Sequence, residues 1–298
     1  MRYERNSASR LSGGHHLFEC AGHARAVMEV GAAHRMTLTL ARVFGVAFMT
    51  AAASAAAHAD GSINLQAGGA AAIAPKYEGS KEYQVRGFPI IAPAGTQNAA
   101  EAGPVQFRGV DDIRWRALRF GGFELGPLAG YRFGRDEDDA ARLSGLGDVD
   151  GGVVVGAFAA YDFGGFKPFV SYHHQVTGTD TGGLVRFGAE TRMPAAMGIA
   201  MTVVAGASYA TESYADAYFT VTATQSAASG LAAYDAGAGF KDVYAGLAVD
   251  VPLTDRVSLK AGARYAHLLG DAAGSSIVET EHQLSGMLGL TYRFTLPR

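Results

Sequence analysis

Ser171-Tyr172-His173 is the one arrangement in this 298-residue chain with the makings of catalysis. Residues two apart on a strand point the same way, so the Ser171 hydroxyl and the His173 imidazole can meet as nucleophile and base. No third, orienting acid is apparent in the sequence. The acidic run Arg135-Asp136-Glu137-Asp138-Asp139 reads first as a solvated loop and second as a carboxylate cluster for a divalent cation or a basic protein partner. Asp148-Val149-Asp150-Gly151 resembles the start of a calcium loop, yet it lacks the further ligands and the closing Glu twelve positions on. Pro75 with Gly79-Ser80 marks a turn, and Tyr77 and Glu78 on it are candidates for a contact at a mouth. Gly145-Leu146-Gly147 leads into a strand rather than a helix, the wrong setting for a dinucleotide. There is no P-loop, CxxC, HExxH or GxSxG motif, so no cofactor or resident metal is expected.

The elements that carry these residues show period-two alternation over nine to thirteen residues. In Arg256–Leu268, Val257, Leu259, Ala261, Ala263 and Tyr265 share one face, opposite Arg256, Ser258, Lys260, Gly262 and Arg264. The final segment sets Leu284, Leu288, Leu290, Tyr292 and Phe294 against a face with Ser285, Thr291 and Arg293. Gly151–Phe163 and Phe166–Val176 alternate likewise, and Gly164-Gly165 between them is a hairpin signal. In Phe166–Val176 this register points Lys167, Ser171, His173 and Gln175 together, away from Val170 and Tyr172. Further strands are expected near 62–74, 84–92, 104–109, 112–121, 123–133, 183–191, 198–210, 214–223 and 238–251. Thr222–Ala236 reads as a second long loop.

Such strands are long enough to cross a bilayer at a tilt, about 9–11 residues each, and aromatics sit near their ends. A soluble sandwich or lipocalin-type barrel would have shorter strands and a polar exterior. The fold class expected is all-β: a transmembrane antiparallel up-and-down β-barrel of about 12 strands, closed so that every backbone amide is paired in lipid. Arg256, Lys260, Arg264 and Arg293 would then line its lumen, as would Ser171 and His173.

From Met36 the chain reads as a signal peptide: Arg42, an apolar stretch from Val43 to about Ala53, and Ala57-His58-Ala59 as the cleavage site. Three segments follow: 1–35 as an upstream extension ahead of the true start, 36–59 as the cleaved signal, and 60–298 as the barrel. Cys20 is not a lipid-anchor site, because Leu17-Phe18-Glu19 lacks the small residues such a site needs. Removing 1–59 takes away six of the 25 basic and three of the 28 acidic residues, leaving a net charge of −6 and no cysteine. That fits an oxidising compartment and lacks the basic stripe of a nucleic-acid binder.

Three stretches resemble the MltA-interacting protein (MipA)/OmpV family of outer-membrane proteins. They are Ala74–Tyr83 with Val85-Arg86 and Phe88-Pro89, then Gly126–Asp139, then Leu143–Asp150; the closing Tyr292-Arg293-Phe294 adds to them. Together they span nearly all of 60–298. The resemblance leads one to expect a terminal aromatic, whereas Phe294 here is followed by Thr295-Leu296-Pro297-Arg298, and residues 1–35 have no counterpart. It implies a non-enzymatic Gram-negative outer-membrane protein, in contact with outer-membrane lipid. Its implied role is to bring a periplasmic murein hydrolase together with a penicillin-binding protein in peptidoglycan remodelling. Two other classes remain open: a small porin or solute channel, motivated by the lumenal cations, and an outer-membrane lipid hydrolase using Ser171 and His173. Known catalytic pairs of that last kind face lipid, whereas this register points the pair inward.

Overall fold

The structure, a computed structural model, describes residues 63–93, 105–179, 181–194 and 199–296. The expected extension, signal peptide and cleavage after Ala59 lie outside these residues. Strands β1 (Ile63–Pro75), β2 (Tyr83–Pro93), β3 (Val105–Gly109), β4 (Asp112–Trp115), β5 (Leu118–Phe120), β6 (Phe123–Arg132) and β7 (Gly152–Tyr161) come first. Then follow β8 (Phe166–Gln175), β9 (Gly183–Pro194), β10 (Ala200–Ala210), β11 (Gly239–Pro252), β12 (Val257–Leu268) and β13 (His282–Leu296). All neighbours are antiparallel, in the order β2-β1-β13-β12-β11-β10-β9-β8-β7-β6-β4-β3, with β5 continuing β4 along the edge of β6. The described strands therefore form an up-and-down barrel wall of twelve strand positions. β1 pairs β13 from Ile63↔Leu296 to Ile73↔Gly286, which joins the first strand to the last. β2 and β3 lie beside one another at the ends of this path, with no hydrogen-bonded ladder between them among the described residues, so the expected full closure is not seen there.

Alternation has the physical consequence the sequence implied. On β8, Lys167, Ser171, His173 and Gln175 are buried inside, while Phe166, Val170, Tyr172 and Val176 are exposed outside. Leu247, Leu284, Leu288 and Leu290 extend the outer apolar band. Aromatic contacts border it at both ends. Phe120–Phe123 (5.2 Å), Phe123–Tyr161 (4.6 Å) and Tyr161–Phe163 (4.4 Å) lie at one, and Tyr131–Phe133, Phe187–Phe240 and Tyr209–Phe240 at the other. The span from Phe123 to Phe133, tilted as barrel strands are, covers about 25 Å, the height of the apolar band of such barrels.

The expected strand 112–121 is broken between Trp115 and Leu118. There Gly126 and Pro127 face it from β6: Pro127 has no amide to donate, and a Cβ on Gly126 would overlap the Trp115 carbonyl. The expected strand at 214–223 is absent. Its place is taken by helices α1 (Glu212–Phe219) and α2 (Ala223–Ser229), and a short α3 (Gly270–Gly274) follows β12. In α1 the buried side chains are Tyr214, Ala215, Tyr218 and Phe219, two pairs at i,i+4, so one helical stripe meets the core. Helix α2 starts on a capping box, with Thr222 and Gln225 satisfying each other's backbone, and ends at Gly230 with φ 75°. The 222–236 stretch is thus folded rather than an open polar loop.

Candidate functional site: the lumen and its cap

The start of β1 at Ile63 and the end of β13 at Leu296 sit at one rim of the barrel, with the short turns 121–122, 162–165 and 253–256. The long connections 133–151, 211–238 and 269–281 all rise from the opposite rim, together with 76–82 and 176–182. They fold into a cap with a core of its own. One cluster holds Val149, Leu184, Tyr214, Tyr218, Phe219 and Leu268, and the next holds Tyr77, Leu143, Leu146, Val221 and Ile277.

Below the cap the lumen is filled with paired charges. Arg114 grips Asp112 through two bonds of 2.8 Å, and Arg186 grips Asp111 at 2.5 and 3.1 Å. Arg108 on β3 reaches Glu190 on β9 at 2.6 Å, which ties strands on opposite sides of the ring. Nearer the terminal rim Glu124 sits between Arg116 (2.8 Å) and Lys167 (3.4 Å). Near the cap, a β-bulge between Ser208 and Tyr209 makes two consecutive residues of β11, Lys241 and Asp242, turn inward. Lys241 then bonds Glu78 of the cap at 2.6 Å and Asp242 at 2.7 Å.

Ser171 and His173 do meet. Ser171 Oγ lies 2.9 Å from His173 Nε2, and His173 Nδ1 lies 3.1 Å from the Asp111 main-chain oxygen. A carbonyl only accepts, so Nδ1 carries the proton and Nε2 accepts from the serine hydroxyl. That is the polarity of a nucleophile–base pair, with a carbonyl in place of the orienting carboxylate. Both residues are sealed in, at 2% and 0% exposure. Arg114 Nη2 sits 3.4 Å from the hydroxyl, and Asp112 lies 3.8 Å from Nε2. The pair belongs to the lumenal lattice.

Of the four cations the alternation set on the lumenal face, Lys260 pairs with Asp250, and Arg264 stacks 4.0 Å over Tyr244 with Asp242 at 3.8 Å. Arg256 is instead in the turn before β12, exposed and bonded to the Tyr292 hydroxyl on the outer face. Arg293, next to it on β13, is half-buried, and its amide donates to the Arg256 carbonyl.

The proposed contact residues all fall in the cap. Tyr77 is buried and donates to Glu279 at 2.9 Å; burial, reinforced by that carboxylate, pushes its phenol well up. Glu78 also accepts from the Tyr214 hydroxyl. Gly79, at φ 95°, forms the expected turn, and its carbonyl takes the Glu279 and Thr280 amides. Arg135 is buried; burial pulls its guanidinium down, and its Nη1 donates to the Tyr218 carbonyl in the last turn of α1. In the acidic run Glu137 stitches its own loop: its amide donates to Asp148, and its carboxylate accepts from the Gly145 and Gly147 amides. The Asp136 amide donates to Asp139, and the Asp150 amide to Thr179. Asp136 is raised by burial and by its neighbours Asp139, Asp148 and Asp150, while Asp138 stays exposed. Among the described residues no three His, Cys, Asp or Glu side chains gather as a ligand set for a metal.

Asp111, Asp112, Arg114, Glu124, Arg132, Arg186, Glu190 and Lys241 carry the lumenal lattice without being singled out by sequence pattern. Apart from Asp111, which lies in the β3–β4 turn, their one signal was a charged residue at an inward position of an alternating strand. For Lys241 even that signal fails, since only the bulge turns it inward.

The family model "MltA-interacting protein MipA" matches residues 67–294. No curated protein sequence matches the chain. Among solved structures, the N-terminal β-barrel domain of Pseudomonas aeruginosa OprF is 15% identical, covering 58% of this chain and 96% of its own, at a TM-score of 0.26. The anion-selective porin from Comamonas acidovorans is 12% identical, covering 78% and 99%, at 0.28. Pseudomonas aeruginosa OprD is 9% identical, covering 80% and 96%, at 0.31.

Proposed function

Because the chain belongs to the MltA-interacting protein MipA family, we propose that it is an outer-membrane barrel acting as a non-enzymatic docking element for cell-wall enzymes. The partners in this reading are a periplasmic murein hydrolase and, through it, a penicillin-binding protein. One observation carries the choice of a scaffold over a conduit: the lumen is occupied by ion pairs from wall to wall and covered by a folded cap. A structure built to pass solute keeps a wet path, whereas this one spends its lumenal charges on each other.

Orientation refines the docking surface. Outer-membrane barrels keep short turns in the periplasm and long loops outside. Tyr77, Glu78, the 135–139 run, Asp148 and Asp150 then face away from the cell wall. A periplasmic partner would instead meet the turns 121–122, 162–165 and 253–256. Photo-crosslinkers at Thr254 and Gly164 should capture a lytic transglycosylase in intact cells, and one at Asp138 should not. Failure of every turn position to crosslink it sinks the scaffold.

A small channel is the second reading, motivated by Lys260 and Arg264, two of the four expected lumenal cations that the wall does turn inward. Planar-bilayer recording separates the two: steady single-channel conductance from the wild-type barrel would replace the scaffold with a pore.

A further inference from the structure

Arg132, at the cap end of β6, breaks the charge pairing of its neighbours. Arg114 has Asp112, Arg186 has Asp111, and Lys241 has Glu78, each within a hydrogen bond. Arg132 is only 7% exposed, and no ion pair joins it to a carboxylate among the described residues; Asp111 acts on it only through its charge. Its Nη1 donates to the Thr181 hydroxyl at 3.0 Å, and its guanidinium carbon lies 4.9 Å from the Tyr214 ring centroid. Its Nη2 is buried with no hydrogen-bond partner.

A second orphan stands beside it. The Tyr218 hydroxyl is buried one turn further along α1 without a well-formed hydrogen bond, near the Thr181 hydroxyl that Arg132 already engages, its ring 4.6 Å from that of Tyr214. Of the charges around that phenol, Arg132 acts on it most strongly. Burial pushes the phenol up to about 12, so it keeps its proton and stays a donor. Two donors without acceptors, Arg132 Nη2 and the Tyr218 hydroxyl, are therefore enclosed together among the described residues, beside a guanidinium on which Asp111 acts only through its charge, as Glu78 does on the phenol. A buried unpaired cation is strongly unfavourable, and a buried donor without an acceptor adds to the cost. A water would satisfy the hydrogen bonds but not the charge.

We propose that this junction holds an anion of chloride size, bound between the Arg132 guanidinium and the Tyr218 hydroxyl. The ion completes the charge balance where the cap meets the barrel. It thereby couples the fold of the cap to halide concentration, because a ligand bound only by the folded state stabilises it.

Crystals of the detergent-folded protein grown in sodium bromide test the site. The expected result is one anomalous peak within hydrogen-bond reach of Arg132 Nη2 and the Tyr218 oxygen. Tyr218→Phe, which removes one oxygen and keeps the ring packing, should weaken that peak, and Arg132→Gln should abolish it. In solution the thermal midpoint of the cap should be higher in sodium chloride than in sodium gluconate at equal ionic strength, and this difference should vanish in Arg132→Gln. If Arg132→Gln does not fold, loss of the chloride-dependent difference in Tyr218→Phe reports the same thing. A water at that position in bromide-grown crystals, or equal midpoints in chloride and gluconate for the wild type, overturns the proposal.

Discussion

Phe219→Ala separates the stability of the cap from that of the barrel. Phe219 ends α1 with no exposed surface, inside the cluster formed by Tyr214, Tyr218, Leu184 and Leu268. Its main-chain oxygen accepts from Ser275, whose hydroxyl also takes the Ile277 amide, and the Ile277 carbonyl holds Arg142. Emptying the Phe219 site costs about 3–5 kcal/mol where neighbours cannot collapse into the cavity. The β-ladders lie below it and keep their pairing. At 1.4 kcal/mol per decade, the lower figure raises the opened-cap population roughly 100-fold. Trypsin reads this directly, since Arg142 is engaged by the Ile277 and Ser276 carbonyls while the cap is closed. When opening and closing are faster than cutting, the cleavage rate follows the open population. Cleavage at Arg142 should accelerate by about two decades while the folded band keeps its heat-modifiable migration. A rate within about twofold of wild type, or loss of the folded band itself, refutes a cap that folds on top of a self-sufficient wall.

Three other perturbations test different parts of the structure. Trp115, the single tryptophan, is 54% exposed on the outer face, so brominated acyl chains should quench its emission strongly and aqueous iodide only weakly; the reverse would put that face in water. Glu124→Gln leaves Arg116 and Lys167 buried against a neutral side chain, which should cost about 3–5 kcal/mol in urea unfolding, and Lys167→Met added to it should recover much of that loss. For Glu279, burial alone would raise the carboxyl, but donation from the Tyr77 hydroxyl and the Lys81 amide, with the Arg142 charge, holds it below the ordinary 4.5. A carboxyl held low stabilises the fold at pH above that ordinary value, and the contribution is lost as pH falls through the folded one. Cleavage in the 76–82 loop should therefore be flat from pH 7 to 5 and rise below about 4.5, and the rise should disappear in Glu279→Gln.

What the sequence made legible follows from which features depend on local periodicity. On β7, β8, β12 and β13 every second side chain meets lipid, so Val170, Tyr172, Leu288 and Leu290 declared their face before any coordinates were known. α1 reads as a strand because Ala215, Ala217, Phe219 and Val221 recur at every second position, while Tyr214 and Tyr218 also repeat at i,i+4; over eight residues the two periods cannot be told apart. Helix α2 did carry its own signal, Thr222 followed three residues on by Gln225 and closed by Gly230, but small polar residues masked it. The lumenal lattice was half legible. Ser171 beside His173 follows from strand geometry alone, whereas Asp111 and Arg186 are joined only once the sheet curls and the β3–β4 turn reaches across. Nothing in the local sequence marks the bulge that turns Lys241 inward.

Charge is sorted in space more sharply than the net figure of −3 conveys. The lumen collects arginines and lysines with enough carboxylates to neutralise most of them, while the surplus acid, Asp136, Asp138, Asp139, Asp148 and Asp150, stays on the cap. Closure and sorting have one origin. A narrow lumen forces side chains from opposite walls into contact, as Arg108 and Glu190 show, and in that confined space only opposite charges can approach to hydrogen-bond distance. The acidic excess must then go to the rim, where water screens it. Asp136, raised by Asp139, Asp148 and Asp150, shows that the screening is incomplete even there. In the proposed orientation the acidic cap faces outward and contributes nothing to a periplasmic contact. The scaffold reading therefore depends on the uncrowded turns at the other rim.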